Sequence, residues 1–253
     1  PSNHLCDSQV CCVNFLFPFA DQPLALKELL RPIFPGVDEM LPVEDGKYVS
    51  FEWIGERNYL GEKISRNGKR SRGANFTSAD AIVRFRDLYG KVHVLLVEWK
   101  YTESYSPVFL AIAKSGTSRV AIYQPLYDAV DSPIDKSKVP GFETLFFEPF
   151  YQFMRQQMLA NEMEKAKELD ADIVSVLHIA PAHNHDFKRI TSEKLKALGK
   201  TATGVWTTVV KNNRFLSVST EELFGLDRLE KLPGINTHIE YLSTRYRTIF
   251  FYE

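Results

Sequence analysis

The strongest constraint in this chain is a pair of β-type runs, Ser78 to Asp87 and Lys91 to Tyr101, joined by Leu88-Tyr89-Gly90. A three-residue loop ending in glycine suits a type I turn followed by a left-handed residue, a common hairpin connection. With that turn Asp87 pairs with Lys91, paired residue numbers sum to 178, and Asp80 is set opposite Glu98. Side chains alternate across a strand, so Lys100 emerges on the face of Glu98 while Trp99 points to the other. Like charges directly opposite destabilise a ladder, so the two acids serve structure poorly. A hard divalent cation gives them a purpose. Mg²⁺ is held by one or two carboxylates plus water and phosphate oxygens, and a lysine alongside orients or deprotonates an attacking water.

Asp80, then seventeen residues, then Glu98-Trp99-Lys100 at the end of an apolar strand resembles the catalytic core of the PD-(D/E)XK nuclease superfamily, the restriction-endonuclease-like fold. Ala79 stands before Asp80, where many members carry proline. The resemblance implies an α/β fold with an α-β-β-β-α-β core, a mixed sheet flanked by helices, and peripheral helices and a hairpin. It implies an endonuclease that hydrolyses phosphodiester bonds of DNA with Mg²⁺, or Mn²⁺ as a substitute, in a restriction or defence role. Nucleases of this architecture often act as homodimers, so that both strands are cut. Asp80 and Glu98 would bind the metal and Lys100 would help activate water. Relatives recruit a further acid from the preceding element, which draws attention to Glu52, and a glutamine or glutamate from the following helix, which draws attention to Gln152 and Gln156. A salt-bridged strand glutamate and two boundary or surface glutamines are the structural alternatives.

The 253 residues, 44% apolar and 13% aromatic, suffice for one large domain: a core over about residues 22–182 and a C-terminal extension over about 183–253. A formal net charge of −1 excludes a globally basic nucleic-acid binder, so DNA contact must come from a local patch. The one dense basic run holds Lys63, Arg66, Lys69, Arg70 and Arg72 among small polar residues and leads into Asp80. Such a loop can follow a phosphate backbone; the alternative is an ordinary solvated loop. Three cysteines within Cys6 to Cys12 make no disulfide framework and fit a reducing, cytoplasmic setting better than a zinc site. Val10 to Ala20 is apolar but too short to span a bilayer, so no membrane partner is expected.

Elsewhere the pattern predicts helices over Ser8–Phe19, over Pro23–Leu30 with Asp21 as cap, over Arg119–Val130 broken at Pro125, and over Thr144–Leu169, the last packed on the acid-bearing sheet. Strands are predicted over Lys47–Ile54 and Ala171–Ala180, the latter returning to the same sheet by a crossover. Lys188–Leu198 reads as helical, Val205–Val210 and Phe215–Val218 as a hairpin about Lys211–Arg214, Thr220 as the cap of a short helix, and Thr237–Tyr246 as a last one. His178, His183 and His185 cluster near the end of the Ala171–Ala180 run without metal-ligand spacing. A hydrolase built on them ranks below the nuclease, because no nucleophile elbow, phosphate-binding glycine loop or metalloprotease helix accompanies them. A non-catalytic nucleic-acid or protein-binding module of the same fold remains the alternative to an enzyme.

Overall fold

The computed structural model describes residues 6–62, 70, 72 and 76–251. Helices α1 (Ser8–Leu16) and α2 (Pro23–Leu30) precede strands β1 (Val37–Leu41), β2 (Val49–Trp53), β3 (Ala79–Asp87) and β4 (Val92–Trp99). Then come α3 (Arg119–Asp128), α4 (Phe150–Ala166), β5 (Ile173–Ala180), α5 (Ala202–Val209) and β6 (Phe215–Ser219). Four short helices follow: α6 (Thr220–Phe224), α7 (Leu226–Leu229), α8 (Asn236–Arg245) and α9 (Arg247–Phe250).

The β3–β4 connection forms as its residues require. Gly90 takes φ +79°, its N–H donates to the Asp87 carbonyl at 2.9 Å, and the Asp87 N–H donates to the Lys91 carbonyl at 2.9 Å. The ladder runs from Arg86 opposite Val92 to Ala81 opposite Val97, every pair summing to 178. Strand β5 lies parallel to β4 and β6 parallel to β5, giving one mixed six-strand sheet in the order β1-β3-β4-β5-β6, with β2 also on β3. Strands β1 and β2 share one edge of β3: β1 covers Arg84 to Asp87 and β2 covers Ala79 to Val83.

Period-two alternation sorts the strands into two cores. Ile82, Val94, Leu96, Val174 and Val176 pack with Phe153, Met154 and Met158 of α4 and with Val205 and Trp206 of α5. Ala81, Val83, Phe85, Leu95, Val97, Trp99, Leu177 and Ile179 face the other way, onto Phe15 of α1, Leu26 of α2, Phe224 of α6 and Leu242 of α8. Both sheet faces are thus covered, as the apolar run of β5 requires.

Several sequence expectations are corrected. Residues 202–209 form a helix and not a strand: the Thr201 hydroxyl accepts the Gly204 N–H at 3.2 Å, and Ala202, Val205, Trp206 and Val209 bury one helical face, overriding their β-branched propensity. With no partner strand there is no hairpin about Lys211–Arg214, and β6 joins β5 in parallel instead. The long helix starts at Phe150 and not at Thr144, because the residue before Pro149 is kept out of the helical region. Pro125 lies inside an unbroken α3. Asp21 does not cap α2, whose N-cap is Gln22; it pairs with Lys47 at 2.6 Å instead. The cap of α6 is Ser219, in a capping box with Glu222, and Thr220 is its first residue. Residues 188–198 hold only a 3-10 turn over Glu193–Leu198. Strand β1 was not foreseen. No described helix is long and apolar enough to cross a membrane, and Cys11 and Cys12 are buried free thiols in the core.

Candidate active site

Glu98 is the penultimate residue of β4, with its side chain on the α4 side of the sheet, where 1% of it is exposed. One carboxylate oxygen accepts from Lys100 Nζ and the other from Gln156 Nε2 on α4. Gln156 Nε2 also donates to the Ser78 carbonyl at 3.1 Å, so one amide ties α4 to Glu98 and to the segment entering β3. Gln156 Oε1 is buried and has no hydrogen-bond partner among the described residues.

Continuing the hairpin register by one rung sets Asp80 opposite Glu98. Here the ladder changes character: the Trp99 N–H donates to Asp80 Oδ2 at 2.7 Å, a side-chain carboxylate accepting where the strands part. Burial first, and the charge of Glu98 second, push the Asp80 carboxyl well above the usual carboxylate range, with Lys100 and the Trp99 N–H opposing. Burial disfavours the charged Lys100, but the surrounding acids, Glu98 foremost, outweigh it and raise its pKa. The arrangement is an electrostatic compromise: two carboxylates and one ammonium held close together, with Glu98 and Lys100 withdrawn from water.

Glu52 sits on β2 at the rung that skips Asp80: Phe51 pairs with Ala81 and Trp53 with Ala79. Its φ of +54° lies in the left-handed region, where a residue with a Cβ is strained by about 1–2 kcal/mol. The strand changes face there, since Val49 and Phe51 pack with the α1 core and Trp53 with the α4 core. Ser78 Oγ donates to the Glu52 carboxylate at 3.4 Å. A strained acid beside two others is the arrangement from which a functional role is inferred.

Of the two glutamines, it is Gln156 that bonds Glu98. Gln152, one turn earlier, accepts from the Tyr105 hydroxyl at 3.4 Å. Glu148, just before α4, has its carboxyl raised by burial, with Lys100 and Arg155 opposing. Gln156 is legible in sequence through its four-residue spacing from Gln152; Glu148 carries no comparable signal.

Within the basic run, Lys63, Arg66 and Lys69 lie outside the described residues. Arg70 donates to the carbonyls of Gly55 at 3.0 Å and Ile54 and lies over the Phe76 ring. Arg72 forks onto Glu44 with two 2.8 Å bonds and stacks on Trp53 at 5.1 Å. Both line a cleft of about 460 Å³ with Trp53, Gly55 and Glu56. His178 is fully buried among Phe153, Phe187 and Phe215, with Nδ1 3.1 Å from Ser217 Oγ. Burial drives its pKa down to about 3, so it is neutral at physiological pH.

The donor set suits a hard cation: two carboxylates and the unpartnered buried oxygen of Gln156 are all oxygen ligands. Among the described residues no group of three or more His, Cys, Asp and Glu is placed to hold a metal.

No curated protein and no solved structure matches the chain. A family model described as restriction endonuclease associating with ARP matches residues 1–247. The match spans nearly the whole chain, and the chain belongs to the family of restriction endonucleases associating with ARP.

Proposed function

We propose that this restriction-endonuclease family member is a Mg²⁺-dependent nuclease that hydrolyses phosphodiester bonds of DNA at the Asp80–Glu98–Lys100 site. One observation carries the reading: the hairpin register brings Asp80 and Glu98 to facing positions with Lys100 bonded to Glu98. Asp80, Glu98 and Gln156 Oε1 would hold the metal, with Glu52 nearby as an acid outside the ligand set. When bound, Mg²⁺ supplies Lewis-acid polarisation of the phosphoryl group and a more acidic water.

The chain's own residues do the rest. Glu98 holds Lys100 by an ion pair, and the lysine orients the attacking water and hydrogen-bonds the charge that develops on phosphoryl oxygen. Gln156 fixes the Glu98 carboxylate. Trp99, pointing to the opposite core, roots the two flanking residues in the sheet. Described Arg70 and Arg72 line the neighbouring cleft and, with Lys63, Arg66 and Lys69, form the proposed contact to the DNA backbone. The family description names ARP as an associate, which makes a partner protein part of the proposal. A second copy of the chain would supply the cut in the opposite strand.

Alanine at Asp80, Glu98 or Lys100 is expected to abolish Mg²⁺-dependent cleavage of plasmid DNA while the circular dichroism spectrum is retained. Unchanged cutting by all three variants removes the assignment. One feature favours the non-catalytic module instead, namely that both Glu98 oxygens already have protein partners; DNA binding by the wild type with no cleavage in Mg²⁺ or Mn²⁺ would support it.

A further inference from the structure

Arg155 is the residue of the site's surroundings whose bonding is left incomplete. It sits on α4 immediately before Gln156 and, with Gln152, on one helical face at three-residue spacing. Its Nε donates to Thr77 Oγ1 at 2.9 Å, three residues upstream of Asp80. Its guanidinium lies over the Tyr151 ring at 5.1 Å, and Arg119 lies over the same ring at 5.3 Å.

The acid nearest to Arg155 does not satisfy it. The approach of Nε to Glu62 Oε1 is 3.7 Å, too long for a hydrogen bond. The Glu62 carboxylate is filled from elsewhere, by the Thr77 N–H at 2.7 Å, the Thr77 hydroxyl at 2.5 Å and the Tyr123 hydroxyl at 2.8 Å. The two terminal amino groups of Arg155 therefore have no acceptor among the described residues, and they are not among its buried unpartnered atoms. With 23% of the side chain exposed, that edge faces solvent. Arg72, whose fork is closed by Glu44, shows the satisfied alternative. A planar guanidinium clamped at Nε, stacked on a ring and open at its fork is preorganised for a bidentate oxyanion.

We infer that Arg155 binds a phosphate group of the nucleic-acid backbone at the mouth of the Asp80–Glu98–Lys100 site, with Thr77 and Tyr151 as positioning residues. The inference rests on the nuclease reading for the identity of the anion. Three bonds from neighbouring residues fix its place: Arg155 holds Thr77, and Gln156 holds Ser78 and Glu98.

The test uses the full chain, a fluorescent duplex DNA, and binding titrations in EDTA over a range of salt. Arg155→Ala is expected to weaken binding about tenfold, the order of one charge-assisted hydrogen bond, and to lower the slope of log affinity against log salt by about one. Thr77→Val keeps the charge, so its slope stays at the wild-type value while its cleavage rate falls. Melting temperatures report on folding. If Arg155→Ala folds and binds with unchanged affinity and slope, the inference is overturned. If it does not fold, Arg155→Lys decides: wild-type affinity and cleavage in that variant overturn it, and a several-fold loss at unchanged melting temperature supports it. A wild type that binds but never cuts refutes the nuclease reading alone, because the salt slope still decides the arginine.

Discussion

Replacing Glu98 and Lys100 singly and together separates a stabilising ion pair from one maintained for chemistry. The pair is 1% and 6% exposed at its two side chains, so neither charge has water to fall back on. Removing one partner of such a pair leaves an uncompensated buried charge and costs about 3–5 kcal/mol. For a chain of this size each kcal/mol moves the melting temperature by about 2–4 °C, so Glu98→Gln or Lys100→Met should melt roughly 6–20 °C lower. Lys100→Met also withdraws the cation that opposes the upward push on Asp80, so its penalty should shrink as the pH is lowered and Asp80 takes up a proton. Removing both charges is a different case, because replacing a whole buried pair by neutral groups is often neutral or stabilising by 1–4 kcal/mol. The double variant Glu98→Gln/Lys100→Met should therefore melt at or above the wild type while cutting no DNA. Differential scanning calorimetry in EDTA, with a plasmid cleavage assay alongside, measures both. A double variant as unstable as the worse single variant would show that the pair is structural and refute this reasoning.

Three further outcomes follow from other residues. Glu52→Gly should be more stable to urea than Glu52→Ala by about 1 kcal/mol, because only glycine relieves the left-handed backbone, and both should cut more slowly; equal stability would remove the strain argument. His178 is neutral in the fold with a pKa of about 3, whereas an unfolded histidine takes a proton below about 6.5. The unfolded chain then binds more protons, so stability is present above about pH 6.5 and is lost as the pH falls toward 3, and Glu98-independent urea titrations of His178→Phe should show a shallower acid loss. Thiol labelling of the native protein should modify Cys6 alone, since Cys11 and Cys12 are buried and Cys11 is pushed up to about 12; rapid labelling of all three would contradict the packing of α1.

The part of the fold that sequence discloses is the part governed by local chemistry. Leu88-Tyr89-Gly90 dictates the turn, and the turn dictates the register from Arg86 opposite Val92 to Ala81 opposite Val97, one rung short of Asp80 and Glu98. The parallel return of β5 was legible from its unbroken apolar run. What sequence concealed depends on distant packing. Val37-Asp-Glu-Met-Leu hides a strand because its middle acids face solvent at the sheet edge. Val205-Trp206-Thr207-Thr208-Val209 looks like a strand, and only the core around Phe150, Phe153 and Trp206 makes it a helix. Glu62 and Arg155 are separated by most of a hundred residues and look like ordinary surface charges until Thr77 is placed between them.

Trp99 stands between Glu98 and Lys100 at the end of β4 but turns its back on them. Its ring meets Phe15 at 5.2 Å and Phe224 at 5.6 Å, and Phe15 in turn meets Tyr246 and Phe250. Helix α1 and helices α6, α8 and α9 thereby meet behind the sheet, directly under Glu98 and Lys100. Substitutions that loosen Phe15, Tyr246 or Phe250 would consequently be felt on the opposite face of the sheet, as a loosened platform for Glu98 and Lys100.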